Sequence, residues 1–374
     1  EDLSIENEDL IPVEDVIITV TNNGYIKRMK VDQYKSQNRG GVGMSGIKVH
    51  EDDYVEHILM TSTHDYHLFF TNKGRVYKIK GYQIPEASRT AKGLPIVNLL
   101  DFDKDETLAN FTSVKDFEAE DAYLTFVTKK GVVKRTHISE YQHIRNNGII
   151  ALSLRDEDEL ITVRLTDGKK DILLGASNGK AIRFNEQDVR SMGRTASGVR
   201  GMNISGDDQI IGATLIDSED QEILVVTENG YGKRTVVEEY RCQMRGGKGV
   251  KTLNVTEKNG RLCALKAVTD DDDLIVVSDK GVVIRTHVDQ ISRTKRATQG
   301  VRVIKLRPDH HVATIALVPK QEDEEDIIDQ EQFVQEEMKV EEVKKVIETV
   351  NLKPDEVEEE VEEKVSKDSL FDEE

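Results

Sequence analysis

Hydrophobic residues gather along this chain into short runs, each interrupted by a turn that contains glycine. Six such segments read ITVTNNGYIKR, LFFTNKGRVYK, TFVTKKGVVKR, LLGASNGKAIR, LVVTENGYGKR and IVVSDKGVVIR. The apolar stretches are short and rich in β-branched residues, which favours strands over helices. The Asn-Gly or Lys-Gly pair at each turn accepts the positive φ angles of a tight hairpin. The pattern therefore predicts six β-hairpins.

The hairpins recur with a regular period, because their turn glycines are spaced 50, 57, 48, 51 and 51 residues apart. A second glycine follows each turn glycine, after 19 residues in five units and after 17 in the third. The pairs are Gly24 and Gly43, Gly74 and Gly93, Gly131 and Gly148, Gly179 and Gly198, Gly230 and Gly249, and Gly281 and Gly300. A short β-type run follows the second glycine, and an apolar segment such as LITVRL at 160–165 closes the unit.

Four short strands per unit and six units predict an all-β, six-bladed, propeller-like array, in which each small sheet buries its faces against its neighbours. An open sheet of so many strands would leave long unpaired edges. A helical solenoid does not fit, because the apolar segments are short and bounded by turn glycines. The predicted blades are 13–66, 67–122, 123–171, 172–222, 223–273 and 274–319.

Charge separates the C-terminal end from the rest of the chain. The formal net charge is −19, but residues 321–374 alone hold 23 acidic and 6 basic residues. The rest of the chain keeps 46 basic and 48 acidic residues and is almost neutral. We therefore predict an acidic, mostly disordered tail over 320–374, and a body whose affinity for polyanions depends on how its basic residues are arranged.

The remaining composition bears on membrane spans, on cysteine chemistry and on the N-terminal residues. The chain has no run of eighteen apolar residues, so no membrane span is predicted. Its two cysteines, Cys242 and Cys263, suit a reducing cytoplasm and are too few for a metal or disulfide framework. Residues 1–12 contain neither an initiator Met nor a leader, and we expect them to be a linker from an absent N-terminal region.

Basic residues recur at two fixed positions of the unit. Four residues after the turn glycine lie Arg28, Lys78, Arg135, Arg183, Arg234 and Arg285. Four residues before the second glycine lie Arg39, Arg89, Arg194, Arg245 and Arg296, and the third unit has Arg145, displaced by one. Any one of these charges could simply solvate a strand and block edge pairing. Recurrence in every unit favours a cationic belt instead, because equivalent positions of a closed radial array lie on one ring.

Duplex DNA is the partner that such a belt suits best. With no Trp and 5% aromatic residues, the chain has few platforms on which single-stranded bases could stack. Arginines and glycine-exposed backbone N–H groups suit phosphate contacts that carry no sequence information. We therefore expect salt-dependent, sequence-independent binding and wrapping of duplex DNA. A propeller that binds a protein at its axis is a rival interpretation, whereas an enzymatic propeller would need converging acids or histidines, which do not recur. No metal site is predicted.

Two heptapeptides carry a resemblance to a known family. Residues 37–43 read QNRGGVG and residues 243–249 read QMRGGKG. The chain resembles the C-terminal domain of the A protein of bacterial DNA gyrase, whose defining box reads Gln, basic, Arg, Gly, Gly, basic, Gly. The first copy maps onto Gln37, Arg39, Gly40, Gly41 and Gly43 and departs from the box at Asn38 and Val42. The second copy supplies Gln243, Arg245, Gly246, Gly247, Lys248 and Gly249 and departs at Met244.

The resemblance implies a six-bladed β-pinwheel that wraps duplex DNA around its rim and supports negative supercoiling. The parent would be an ATP-dependent type IIA topoisomerase, a bacterial cytoplasmic A2B2 tetramer of gyrase A and gyrase B. The resemblance also implies no catalytic residue and no cofactor in this fragment, since ATP and magnesium act elsewhere in the holoenzyme. The isolated domain would be monomeric. The corresponding domain of topoisomerase IV is the alternative family member. The acidic tail has two interpretations: it keeps the protein soluble, or it competes with DNA for the cationic belt.

Overall fold

The fold is that of a computed structural model, which describes residues 8, 10–31, 53, 55–88, 91–280 and 283–320. Contacts divide the chain into one unit at Glu1–Lys320 and another at Gln321–Glu374. The second unit lies outside the described residues, and so does the prediction that it forms a disordered acidic tail. No helix among the described residues is long and apolar enough to cross a membrane.

Six hairpins form where the glycine turns predict them. Their strand pairs are β1 (Asp15–Thr21) with β2 (Tyr25–Lys30), β4 (Tyr66–Thr71) with β5 (Arg75–Lys80), β8 (Tyr123–Thr128) with β9 (Val132–His137), β12 (Asp171–Ala176) with β13 (Lys180–Asn185), β16 (Glu222–Thr227) with β17 (Tyr231–Val236), and β20 (Asp272–Ser278) with β21 (Val283–His287). In the first five units the turn glycine takes a positive φ, +85° at Gly131 for example, where its N–H closes the turn on the Thr128 carbonyl at 3.0 Å. This conformation explains why glycine recurs at that point of these units.

The apolar segment that closes each unit forms a third strand beside the first strand of its own hairpin. These inner strands are β3 (Val55–Ser62), β7 (Leu108–Val114), β11 (Leu160–Thr166), β15 (Ile210–Ile216), β19 (Leu262–Val268) and β23 (Val312–Pro319). Each inner strand contacts the next one in chain order, and β23 contacts β3. The six strands therefore surround a common axis, which confirms the predicted six-bladed propeller of small antiparallel sheets.

The fourth strand of a sheet comes from the following unit. These two-residue outer strands are β6 (Leu94–Pro95), β10 (Ile149–Ile150), β14 (Val199–Arg200), β18 (Val250–Lys251) and β22 (Val301–Arg302), and each pairs with the second hairpin strand of the preceding unit. The sheets therefore do not follow the contiguous blade ranges drawn from the repeat. Five sheets have four strands, and the sixth has three among the described residues.

Apolar side chains from neighbouring sheets fill the space between the blades. Phe70 of the second sheet meets Phe126 of the third edge to face, with ring centroids 5.5 Å apart, and Tyr141 closes the same cluster. The Tyr141 hydroxyl donates to the Ala151 carbonyl at 2.8 Å, so its polar end is satisfied inside the core. Packing between blades, together with the exchanged outer strands, holds the ring in one piece.

Candidate nucleic-acid interface

A short 3-10 turn follows the second hairpin strand of units two to six, at Gly81–Gln83, Ile138–Tyr141, Glu186–Asp188, Val237–Glu239 and Val288–Gln290. After this turn the chain crosses to the preceding sheet, makes a loop and forms the outer strand there. Each of these crossing loops contains one of the predicted loop arginines and ends at the second glycine. The loops and outer strands together form the outer edge, or rim, of the ring.

The cations four residues after the turn glycine hold the crossing segments in place. Arg28, Lys78, Arg135, Arg183 and Arg234 each donate to the carbonyl directly after the 3-10 turn of the following unit, which belongs to Ile84, Gln142, Val189, Tyr240 and Ile291 respectively. The Nε–O distances are 2.9 Å from Arg135 to Val189 and 2.8 Å from Arg234 to Ile291. One cation per unit therefore fastens the next unit to its own sheet.

Carboxylates complete this series of contacts. The guanidinium group of Arg135 lies 3.8 Å from the buried Glu186, and that of Arg234 lies 2.5 Å from Asp270. Arg285 of the sixth unit pairs with the buried Asp273. All six cations are expected on an exposed belt, but Arg135 and Arg234 are buried and Arg28, Arg183 and Arg285 are largely covered. The expectation of exposure is therefore corrected for these five arginines, because blade junctions enclose them and protein groups engage their charges.

A lysine precedes three of these arginines and holds the loop itself. The Lys27 ammonium donates to the carbonyls of Ser88 at 3.2 Å and Ala91 at 2.9 Å. Lys233 donates to the carbonyls of Lys295 at 2.7 Å and Arg296 at 2.5 Å. Lys134, also fully buried, donates to the carbonyl of Arg194 in the same way. Burial first, and a neighbouring arginine second, lower the pKa of Lys134 to about 7 and that of Lys233 to about 8.

The loop arginines are half-buried and span two neighbouring outer strands. Arg245 donates from Nη1 to the Arg200 carbonyl at 3.0 Å, and Arg296 donates from Nη1 to the Lys251 carbonyl at 2.8 Å. Arg194 donates in the same way to the carbonyl of Ile150. In each case the acceptor is the last residue of the preceding outer strand. The displaced Arg145 is exposed, while Arg89 lies outside the described residues.

The second heptapeptide forms one of these loops, at residues 243–249. Arg245 and the exposed Lys248 bring two cations to it, and Met244 is 73% exposed beside them. The N–H of Gly246 donates to the Gly201 carbonyl at 2.7 Å, so this group is already used within the protein. Here the structure corrects the expectation that the loop offers this backbone N–H to a phosphate. Gly249 has φ +72°, and a Cβ placed there would lie 2.3 Å from the Ala181 carbonyl oxygen.

The first heptapeptide, with Gln37, Arg39, Gly40, Gly41 and Gly43, lies outside the described residues. Gln243 of the second copy is half-buried, and its N–H donates to the Arg183 carbonyl at 2.9 Å. The Gly247 carbonyl accepts from the Asn203 N–H at 2.8 Å. Hydrogen bonds to β13 and to the segment that follows β14 therefore hold the shape of the second loop.

Three exposed cations on the rim were missed by the sequence analysis. Arg200, Lys251 and Arg302 occupy the second position of their outer strands and are exposed. A signal for them exists in the chain, since each lies two residues after a second glycine, in GVR at 198–200, GVK at 249–251 and GVR at 300–302. The equivalent residues of two other outer strands are Pro95 and Ile150, so the exposed charge is concentrated on one side of the ring.

The outer edge of the last three outer strands thus combines half-buried arginines that are fixed by carbonyls with exposed basic side chains beside them. A guanidinium group that spends one N–H on a carbonyl retains other donors for an oxyanion. The spacing repeats once per blade. Such a surface is suited to a long, regularly charged ligand.

Comparison with known proteins decides the family. The chain matches the family described as "DNA gyrase C-terminal domain, beta-propeller" at residues 15–62, 65–115, 122–167, 170–217, 221–268 and 272–319, one repeat per segment. The chain belongs to this family. This match confirms the resemblance that the sequence shows to DNA gyrase C-terminal domains.

Relatives within the family are similar over most of this chain. The DNA gyrase A protein of Staphylococcus epidermidis (strain ATCC 12228 / FDA PCI 1200) is 50% identical over 320 residues, which cover 85% of this chain and 36% of the relative. The DNA gyrase A protein of Staphylococcus aureus (strain MRSA252) is 50% identical over 322 residues, covering 86% and 36%. The chain therefore spans little more than a third of the length of the curated relatives it matches.

Solved structures have the same fold. The C-terminal domain of a DNA topoisomerase IV is 29% identical with a TM-score of 0.71, covering 83% of this chain and 95% of that domain. A DNA gyrase A C-terminal domain is 26% identical with a TM-score of 0.67, covering 81% of this chain and 99% of that one. The propeller is thus common to both kinds of topoisomerase domain.

Proposed function

We propose that this chain binds duplex DNA along its rim without sequence preference and wraps it, as part of a DNA gyrase that introduces negative supercoils. The partners would be a gyrase A N-terminal region and gyrase B, in an A2B2 assembly. Cleavage and ATP hydrolysis would reside in those partners, so binding by this chain would need no cofactor. The proposal combines family membership with the charge distribution of the rim.

The observation that carries the proposal is the equivalence of three loops. Arg194, Arg245 and Arg296 occupy the same position of successive units, and each is fixed on the preceding outer strand. Arg200, Lys251 and Arg302 lie on these strands or the next and are exposed. A polyanion that follows the rim would meet this pair of cations again at each of these three blades. Contacts to phosphates alone hold a duplex in place but read no sequence.

The direct test removes the exposed charges of the outer strands without disturbing the fold. In the triple variant Arg200→Ala, Lys251→Ala and Arg302→Ala, we expect weaker binding of linear duplex DNA in fluorescence anisotropy. The negative slope of log affinity against log salt should become shallower by about 0.9 for every phosphate that the variant no longer neutralises. The matched control is Lys104→Ala, Lys115→Ala and Lys169→Ala, which makes the same charge change at exposed positions next to inner strands. Equal reductions in both variants would contradict a rim site.

Wrapping is tested by the topology of DNA circles. Relaxed circles closed by ligase in the presence of the protein should acquire supercoils of one sign after deproteinisation, and the rim triple variant should lose this effect while the control keeps it. If the protein binds DNA but the circles acquire no supercoils of either sign, the chain is a DNA-binding domain that does not wrap DNA. The topoisomerase IV alternative shares the fold, so this chirality measurement is the one that separates the two. If the chain instead binds a protein partner at its axis, the topology of the DNA circles should not change.

A further inference from the structure

Three nitrogen-bearing side chains of alternate blades lie on the strands that surround the axis. His57 is on β3, Arg164 on β11 and Lys266 on β19. Arg164 pairs in register with Thr125 and Lys266 with Leu224, which are both six residues before their turn glycine. The two cations therefore occupy the same level of the ring. His57 pairs with Val20. It therefore lies two residues along its strand from the level of the two cations, on the same face of that strand.

The three groups influence one another although their strands are not neighbours in the ring. Burial first, and then the charge of Lys266 and more weakly that of Arg164, lower the pKa of His57 to about 4. Burial and then the charge of Arg164 lower the pKa of Lys266 to about 8. Groups on alternate blades reach each other only across the axis. His57, Arg164 and Lys266 are therefore called the axial cluster.

The axial cluster is not neutralised by the part of the protein that the structure describes. Neither Arg164 nor Lys266 makes an ion pair or hydrogen bond with a described residue, and the buried Nε of Arg164 and Nε2 of His57 have no protein partner there. The contrast with Arg135 and Arg234, which are enclosed together with carboxylates and carbonyls, is plain. Arg164 and Lys266 are partly buried side chains, but the Arg164 Nε and the His57 Nε2 are enclosed, and an unpaired buried donor in a folded protein calls for a ligand, ion or water.

The same level of the other four blades is uncharged. The residues that correspond to Arg164 and Lys266 are Leu59, Thr112, Thr214 and Ala316. The fold itself therefore does not require a cation at this level, since four blades close the ring without one. Two cations facing one axis with no paired acid in the described chain form an arrangement that a negative ligand would complete.

We propose that the axial cluster binds a small oxyanion of the phosphate type, held between Arg164 and Lys266 with His57 at its edge. An oxyanion presents several acceptor oxygens and can satisfy guanidinium, ammonium and imidazole donors together. Inorganic phosphate is the simplest ligand of this chemistry and serves as the probe. This inference does not depend on DNA binding at the rim, because the axial cluster and the rim use different residues.

Thermal unfolding of the full chain provides the first test. We expect inorganic phosphate to raise the unfolding temperature by a few degrees above chloride at equal ionic strength, since a ligand of the native state stabilises it. The double variant Arg164→Met and Lys266→Met should lose this response. In chloride it should unfold at the same or a higher temperature, because two uncompensated charges have been replaced by apolar chains of similar length. The control Lys115→Met and Lys169→Met should respond to phosphate like the original protein.

No phosphate-specific response of the full chain, or an equal response in the double variant, would overturn the proposal.

The His57 imidazole provides a readout that needs no variant. Its pKa is depressed by burial and by the two cations, so an oxyanion bound between those cations should raise it, and NMR titration of the ring with and without phosphate measures the change. An unchanged His57 titration under conditions that saturate the thermal effect would place the phosphate elsewhere on the protein and overturn the assignment.

Discussion

The buried ammonium group of Lys134 donates a hydrogen bond to the carbonyl of Arg194, which belongs to the next repeat. One repeat thereby fixes the loop that brings the following repeat's arginine to the rim. The same lysine also donates to the carbonyl of Ala151, directly after β10, at 2.7 Å, so it contacts both the end of the outer strand in the second sheet and the crossing loop of the fourth unit. Stability of the ring and order of the rim therefore depend on the same buried side chains.

The first prediction concerns stability against pH. The pKa of Lys134 is about 7 in the folded chain against an ordinary value of 10.5, so between these values the unfolded chain binds the proton more tightly. The free energy of unfolding should consequently rise as the pH increases from about 7 towards 10.5. Lys233, with a pKa of about 8, contributes with the same sign. Urea unfolding across this range should show a weaker rise in Lys134→Met, and the exposed Lys104→Met should behave like the original chain.

A second prediction separates the two series of cations. Replacing the buried Arg135 by Met leaves the buried Glu186 without its cation, and breaking such a pair costs about 3 kcal/mol of unfolding free energy. Replacing the exposed Arg200 by Ala should change stability by less than about 0.5 kcal/mol but weaken DNA binding. Denaturant unfolding and duplex anisotropy on both proteins measure the contrast. A stable Arg135→Met protein that binds DNA poorly would restore the expectation of a direct contact.

The glycines of the second heptapeptide should differ sharply in tolerance. An Ala at Gly249 would require a left-handed backbone and bring its Cβ to 2.3 Å from the Ala181 oxygen, whereas the nearest atom to a Cβ at Gly247 is 3.6 Å away. We expect Gly249→Ala to lose about 2 kcal/mol or more of stability and Gly247→Ala to lose about 1 kcal/mol at most. Thermal unfolding compares them. If both lose the same amount, the close approach at Gly249 is not what demands glycine.

The acidic residues 321–374 give a prediction about DNA affinity. If they compete with DNA for the cations of the body, their removal should tighten duplex binding at low salt, and the difference should shrink as salt screens the charges. A chain ending at Lys320, compared with the full chain by anisotropy over a range of salt, tests this. Identical affinities throughout would support the simpler interpretation that the segment keeps the protein soluble.

Local pattern was sufficient for the hairpins and for the number of blades. A turn glycine such as Gly131 needs a positive φ wherever the chain folds, and the apolar segment that follows can bury its side chains only in a sheet. Both requirements act within one repeat, so the local pattern alone predicts them. The family followed for the same reason, since its box is a contiguous heptapeptide.

The repeat does not predict which cations are available to a ligand, because that depends on contacts between units. Arg135 and Arg200 are both basic residues on strands of the same sheet, yet Arg135 is covered by a crossing segment of the next unit while Arg200 lies on the outer edge. Alternation along a strand tells which face a side chain takes but not what packs against that face. The exchange of outer strands supplies that cover, and it joins residues 60 positions apart, as in the Lys134 contact to Arg194. Burial of a charge is a property of the assembled ring, because it depends on partners brought from another repeat.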